Sequence, residues 1–100
     1  MAGMKQSAYR IKVQDSVGAL LRGMHPHLKR KIKSSFKIIV SNPNEGKALK
    51  DELAGLRSFR VRRFRIVYRV RKGIIEVVAV GPRERIYEET LFLLRREDSE

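Results

Sequence analysis

The sequence predicts an α+β fold. The expected architecture is a small, mainly antiparallel sheet of about four strands, with an N-terminal helical hairpin on one face and a short C-terminal helix, in the order β-α-α-β-β-β-α. Three observations point there. Residues 17–39 carry apolar side chains at helical spacing in two runs, broken between Gly23 and Pro26. Residues 58–80 read as strands separated by short turns. With 100 residues, 42% of them hydrophobic, the chain can build one modest core and one domain. Residues 1–100 are therefore read as a single domain, with 1–6 a loose leader and 97–100 a frayed acidic tail.

Each element follows from its own pattern. Tyr9 to Val13 alternates apolar and basic residues, a half-buried strand with Tyr9, Ile11 and Val13 inward. Asp15-Ser16 suits a helix start, and Val17, Leu20, Leu21 and Met24 follow at helical spacing. Pro26 suits the first turn of a second helix, whose stripe is Leu28, Ile32, Phe36 and Ile39, with Asn42-Pro43-Asn44 as its stop. From Glu45 to Arg57, Leu49, Leu53 and Leu56 fit either a short helix or a loop pinned by leucines. Phe59 and Val61 alternate with Arg60 and Arg62, and a tight turn is expected near Arg62-Arg63. Beyond it Phe64, Ile66, Tyr68 and Val70 share one face, with Arg63, Arg65, Val67, Arg69 and Arg71 on the other. Lys72-Gly73 is a turn signal. Ile74 to Val80 is nearly all apolar, so this strand is expected to be central and covered on both faces. Ile86 to Arg96 reads as the closing helix. Short links between the last three strands imply an antiparallel meander, with the helices covering one sheet face.

Several function classes are excluded or disfavoured. Cysteine is absent, which removes disulfides, thiol nucleophiles and thiolate metal sites. Apolar runs such as Val77–Val80 fall far short of the ~20 residues that span a bilayer. Met1 to Gln14 has no signal-peptide apolar region, so a cytoplasmic protein with no membrane partner is expected. His25 and His27 flank Pro26 at a helix start, where a surface role in the cap region fits better than metal or acid–base work.

Charge is the strongest signal. The chain has 23 Lys and Arg against 11 Asp and Glu, a net charge of +12, which suits a polyanion or an acidic protein. The two halves differ in kind. The first has eight lysines and three arginines; the second has one lysine and eleven arginines, seven of them between Arg57 and Arg71 with no acid among them. Lysine is a point charge, whereas arginine offers a planar fork that grips phosphate with two donors. Arginines at alternate strand positions stand about 6.6–7 Å apart on a stiff surface. That face, Arg63 and Arg69 included, fits RNA binding, and it also fits the solvated side of a half-buried sheet. Lys29, Lys31, Lys33 and Lys37 on the second helix pose the same choice between an RNA-facing stripe and a plain solvated surface.

Gly46-Lys47-Ala48-Leu49-Lys50, Leu53-Ala54-Gly55-Leu56-Arg57-Ser58-Phe59-Arg60-Val61, Phe64-Arg65-Ile66-Val67-Tyr68-Arg69-Val70 and Val80-Gly81-Pro82-Arg83-Glu84-Arg85-Ile86-Tyr87-Glu88 together resemble the RelE/ParE superfamily of type II toxins. The resemblance covers roughly residues 7–95 and looks closer to the RelE branch, whose members cleave messenger RNA in the ribosomal A site, than to the ParE branch, which poisons DNA gyrase. It implies that Arg65 holds the scissile phosphate, that Arg83 is a second functional arginine, and that Tyr87 orients the substrate base or its 2′-hydroxyl. Arg60 and Arg62 fall where RelE has two lysines, with a shorter loop after them here, and the resemblance implies that they join Arg65, Arg83 and Tyr87 as catalytic residues gripping messenger RNA. Pro82 stands where many relatives have a histidine or lysine. The resemblance also implies a cognate antitoxin, with an acidic or amphipathic helical segment that masks the basic face, and the ribosome and messenger RNA as further partners, with no metal and no cofactor.

The expected chemistry is attack of an RNA 2′-hydroxyl on the adjacent phosphate. Arginines stabilise the developing phosphate charge but are poor bases. Tyr87 is the available proton relay. The residues thus supply electrostatics and positioning, which suits an endoribonuclease whose substrate geometry comes from the ribosome. The alternatives are a ParE-like toxin that inhibits gyrase by protein binding, and a degenerate nucleic-acid-binding module without catalysis.

Overall fold

The computed structural model describes residues 9–99; the expected leader, residues 1–6, lies outside them. The strands are β1 (Arg10–Val13), β2 (Lys47–Ala48), β3 (Arg57–Val61), β4 (Phe64–Arg71) and β5 (Ile74–Pro82); the helices are α1 (Asp15–Arg22), α2 (Pro26–Ser41) and α3 (Ile86–Ser99). They form one five-stranded sheet in the order β1-β5-β4-β3-β2. Strands β2 to β5 are antiparallel neighbours, and β1 runs parallel to β5. The expected α+β meander is present, with one more strand than the sequence pattern showed. Strand β2 is only two residues long, too short to display a period.

Alternation in the strands sorts apolar side chains into two cores. On one face Val17 and Leu21 of α1 and Ile32, Phe36 and Ile39 of α2 meet Val61, Ile66, Tyr68, Ile75, Val77 and Val80. On the other, Ile86, Leu93 and Leu94 of α3 meet Val67, Val78, Ala79 and Leu56. The closing helix therefore packs on the face opposite the helical hairpin. Helices on one face alone would leave Val67 and Val78, both almost fully buried, in water. Helix α3 also continues to Ser99. Glu97, expected in a frayed tail, is helical and reaches Gln14 and Arg69.

Two turns and one bulge set the register. Lys72 and Gly73, with φ of 44° and 80°, close the β4–β5 hairpin with both residues left-handed, as a two-residue turn requires. Between β3 and β4 the two-residue turn is Arg62-Arg63, with Arg62 at φ 55°. In β5 the ladder jumps from Val67↔Ala79 to Tyr68↔Val77, which leaves Val78 as an extra residue. Val78 and Ala79 then both face α3, while Val77 and Val80 both face the hairpin. The bulge thereby turns Gly81 toward α3, where a Cβ would meet Ile86 Cδ1 at 3.1 Å.

The leucine-rich connector resolves as a pinned loop enclosing one 3₁₀ turn, Asp51–Leu53, with Leu56 buried in the α3-side core. Its far end is tied by Tyr68. The Tyr68 hydroxyl donates to the Pro43 carbonyl at 2.8 Å and accepts from the Gly46 N–H at 2.9 Å. Only glycine fits at position 46, because a Cβ would lie 2.7 Å from that hydroxyl. Arg57 adds a 2.6 Å hydrogen bond to the Gly46 carbonyl. At the start of α1 the cap position is Gln14, with no side-chain cap; Asp15 sits in the first turn, where its charge suits the helix dipole.

Candidate functional site

Pairing of β3 with β4 places Arg60 directly across from Arg65, on the face that carries α3. Side chains so opposed start about 4.5–5.5 Å apart, and two like charges there are destabilising. Arg65 bends over the hairpin turn and donates to the Phe64 carbonyl at 3.1 Å and the Arg62 carbonyl at 3.4 Å. Two residues along β3 on the same face, Ser58 lies 3.1 Å from the Tyr87 hydroxyl. Tyr87 stands in the first turn of α3 and is 37% exposed. The Arg83 N–H donates to the Arg63 carbonyl at 2.8 Å, so the segment after β5 is fastened to the β3–β4 turn.

One end of the α3 face thus gathers Arg60, Arg65, Tyr87 and, through its backbone, Arg83. Among the described residues Arg60, Arg65 and Arg83 form no ion pair, in contrast to Arg69. Neither histidine joins them. Both belong to the start of α2, in the cap region their position suggested, and His25 goes further and caps the helix, accepting from the His27 N–H at 3.1 Å.

Other expected residues are placed elsewhere. Arg62 turns toward α2 and lines a cleft of about 540 Å³ with His27, Arg30, Lys31, Ser34 and Val61. Arg63 is exposed in the turn. Arg69, at the far end of β4, donates through Nε to Glu76 at 2.8 Å and lies 3.6 Å from Glu97. Burial alone pushes the Glu76 carboxyl up, but hydrogen bonds from Arg69 and Gln14 and the charges of Arg69 and Lys12 outweigh it and hold the group below the ordinary carboxylate value. The helix lysines divide as well. Lys29 and Lys33 border a groove against α1 with Val13 and Arg22, Lys31 faces the Arg62 cleft, and Lys37 is exposed. Ser58 is the site member that the sequence reading passed over. It lies in phase with Arg60 on β3, and a serine among strand residues of the arginine face was the available signal.

Chemically, the face offers the Arg60 and Arg65 guanidiniums as donors to an anion and, two residues along β3 at Ser58, a phenol. That arrangement can hold a phosphodiester and stabilise charge developing on its oxygens.

Comparison with known proteins matches these observations. Residues 9–87 match the family described as the ParE toxin of the type II toxin–antitoxin system parDE. No curated protein matches at a significant level. Among solved structures, the free RelE toxin of E. coli, as a double mutant, aligns with a TM-score of 0.72 at 19% identity, covering 88% of this chain and 96% of that one. The toxin–antitoxin complex RelBE2 of Mycobacterium tuberculosis gives 0.68 at 24% identity, covering 75% of this chain and 98% of that chain. The chromosomal ParDE system of P. aeruginosa gives 0.62 at 16% identity, covering 77% and 98%. The family match spans residues 9–87 of the 100, and the chain belongs to the RelE/ParE superfamily of type II toxins.

Proposed function

We propose that the chain is an endoribonuclease toxin that cleaves messenger RNA on the ribosome and so arrests translation. The observation that carries this reading is the Arg60–Arg65 pair on one strand face, with the Tyr87 hydroxyl held two residues away at Ser58. Arg65 and Arg60 bind the non-bridging oxygens of the scissile phosphate, and Arg83 supplies a further cation from the segment fastened to the turn. The 2′-hydroxyl gives its proton to water as its oxygen attacks the adjacent phosphorus, a 2′,3′-cyclic phosphate forms, and the 5′-oxygen leaves with the proton of the Tyr87 hydroxyl. The guanidiniums stabilise the charge on the pentacoordinate phosphorus, a contribution worth about 10²–10³ in rate per donor in comparable sites. Without a histidine base in the cluster, rate depends on alignment of the 2′-oxygen, which the ribosome provides. Arg62, Arg63 and the α2 lysines meet phosphates of that scaffold. Arg69 belongs to its ion pair and contributes stability instead.

A cognate antitoxin is part of this reading. The M. tuberculosis neighbour is a toxin–antitoxin complex, and a chain of net charge +12 suits an acidic or amphipathic helical segment laid on its basic surface.

The match to the ParE family supports a second reading, inhibition of DNA gyrase by protein binding. Induction of the chain alone in cells, with mapping of message 5′ ends, separates the two. Codon-phased cuts support the endoribonuclease; intact messages with arrested supercoiling overturn it in favour of the gyrase inhibitor. Growth unaffected by the folded protein would leave only a non-catalytic binding module.

A further inference from the structure

Tyr87 is 37% exposed, on the first turn of α3, so packing alone does not decide where its hydroxyl points. Ser58 does. Its oxygen lies 3.1 Å from the Tyr87 hydroxyl, across 29 positions of sequence. The serine is 7% exposed and clamped on both sides, paired with Lys47 of β2 and with Val67 of β4. A hydroxyl buried in a sheet costs free energy unless it is hydrogen-bonded, and an alanine or valine would fill the same place without that cost. The Tyr87 hydroxyl is the side-chain partner that satisfies it. On the same face Arg60 follows two residues later, with Arg65 across from it.

We propose that Ser58 is a positioning residue for the reaction: its Oγ donates to the Tyr87 hydroxyl oxygen and holds the phenol on the sheet face of the Arg60–Arg65 pair, two residues along β3. The geometry lets either oxygen donate, and donation from Ser58 is the sense that leaves the Tyr87 proton free for the substrate. As the 2′-oxygen bonds to phosphorus it loses its proton to water. The bond from phosphorus to the 5′-oxygen breaks, and that oxygen takes the Tyr87 proton. The phenolate left behind keeps the Ser58 hydrogen bond until water reprotonates it. A rigid strand position suits this task, since misplacement of a reacting group by about 1 Å is costly in rate. This inference rests on the endoribonuclease reading and assigns the residue that orients its proton relay.

The test is cleavage of ribosome-bound message by the purified full chain. Ser58→Ala is expected to lower kcat about tenfold with KM within about twofold, because alignment and not binding is lost. Ser58→Thr, which keeps the hydroxyl, is expected to return kcat to within about threefold of the parent. In a Tyr87→Phe background, Ser58→Ala is expected to change kcat by less than about twofold, since the shared interaction is already gone. Wild-type turnover by Ser58→Ala, a loss confined to KM, a folded Ser58→Thr that rescues nothing, or an equal drop in the Tyr87→Phe background would each overturn the proposal while leaving the endoribonuclease standing. A wild-type protein that cuts no message at all overturns both.

Discussion

Arg65 and Arg69 stand on one strand and one face, four residues apart, and the fold gives them opposite environments. Arg69 faces Glu76 across the β4–β5 ladder, and its guanidinium is spent on that carboxylate, with Glu97 of α3 close by. Arg65 faces Arg60 on one side and Gly81 on the other. It makes no ion pair among the described residues, the Glu89 carboxylate lying instead beside Gly81, where a Cβ would meet its Oε1 at 3.3 Å, and part of the Arg65 fork is bent onto the turn carbonyls. One end of the face is a closed electrostatic clasp that fastens α3 and, through Gln14, the start of α1. The other sets Arg60 against Arg65 without an ion pair among the described residues, with the Glu89 carboxylate at its border, and the repulsion between the two guanidiniums is relieved by a bound anion. Residue type and strand phase are shared, so cross-strand neighbours make the difference.

The comparison is tested most severely at its open end. Arg65→Ala and Arg83→Ala are each expected to lower message cleavage by about 10²-fold or more and to abolish growth arrest while circular dichroism stays that of the parent. Full toxicity from both folded variants would remove the functional meaning of the open cluster. A second strong effect is expected behind the sheet, at the loop that Tyr68 ties down. Gly46→Ala puts a methyl 2.7 Å from the Tyr68 hydroxyl and is expected to cost about 2–3 kcal/mol in urea unfolding. At the closed end, Arg69→Met strands a Glu76 side chain that is only 19% exposed, and about 2 kcal/mol of stability should be lost while the folded fraction keeps its cleavage rate. A drop in turnover without loss of stability would move Arg69 into the functional group. Tyr68→Phe leaves the Gly46 N–H and Pro43 carbonyl without their partner, at an expected cost of about 1–2 kcal/mol by the same measurement.

The smallest effect is on pH dependence. The folded Glu76 carboxyl titrates below its ordinary value of 4.5, burial being outweighed by Arg69 and Gln14. Its contribution is therefore fully present above pH 4.5 and is lost as pH falls through the lowered folded value. Glu76→Gln should flatten this acid limb in unfolding free energies measured between about pH 5 and pH 3. At the other extreme, burial raises the Tyr68 phenol above 10.0, with the Gly46 hydrogen bond and the Arg57 charge opposing. Stability tied to that phenol is complete below pH 10 and declines as pH rises through the raised value, a decline that Tyr68→Phe should lack.

Local pattern determined most of the fold. Period two in residues 57–71, helical spacing in 17–39, Pro26 at a helix start and Lys72-Gly73 at a turn are short-range signals, and each element appears where its own residues place it. Composition likewise determined that the arginines crowd into one stretch free of acids. What tertiary structure alone decided is which arginines remain open. The unpaired Val78 re-phases the end of β5, so that Gly81 lies beside Arg65 and the chain beyond it is tied to the hairpin turn at Arg83. Arg62 leaves the face its neighbours share because a left-handed turn carries it toward α2. The pairing of Arg69 with Glu76, and of Ser58 with Tyr87, joins residues 7 and 29 positions apart. Such partners depend on register and on which face a helix covers, and both are set by the burial of two whole cores at once, a quantity that no short window of sequence contains.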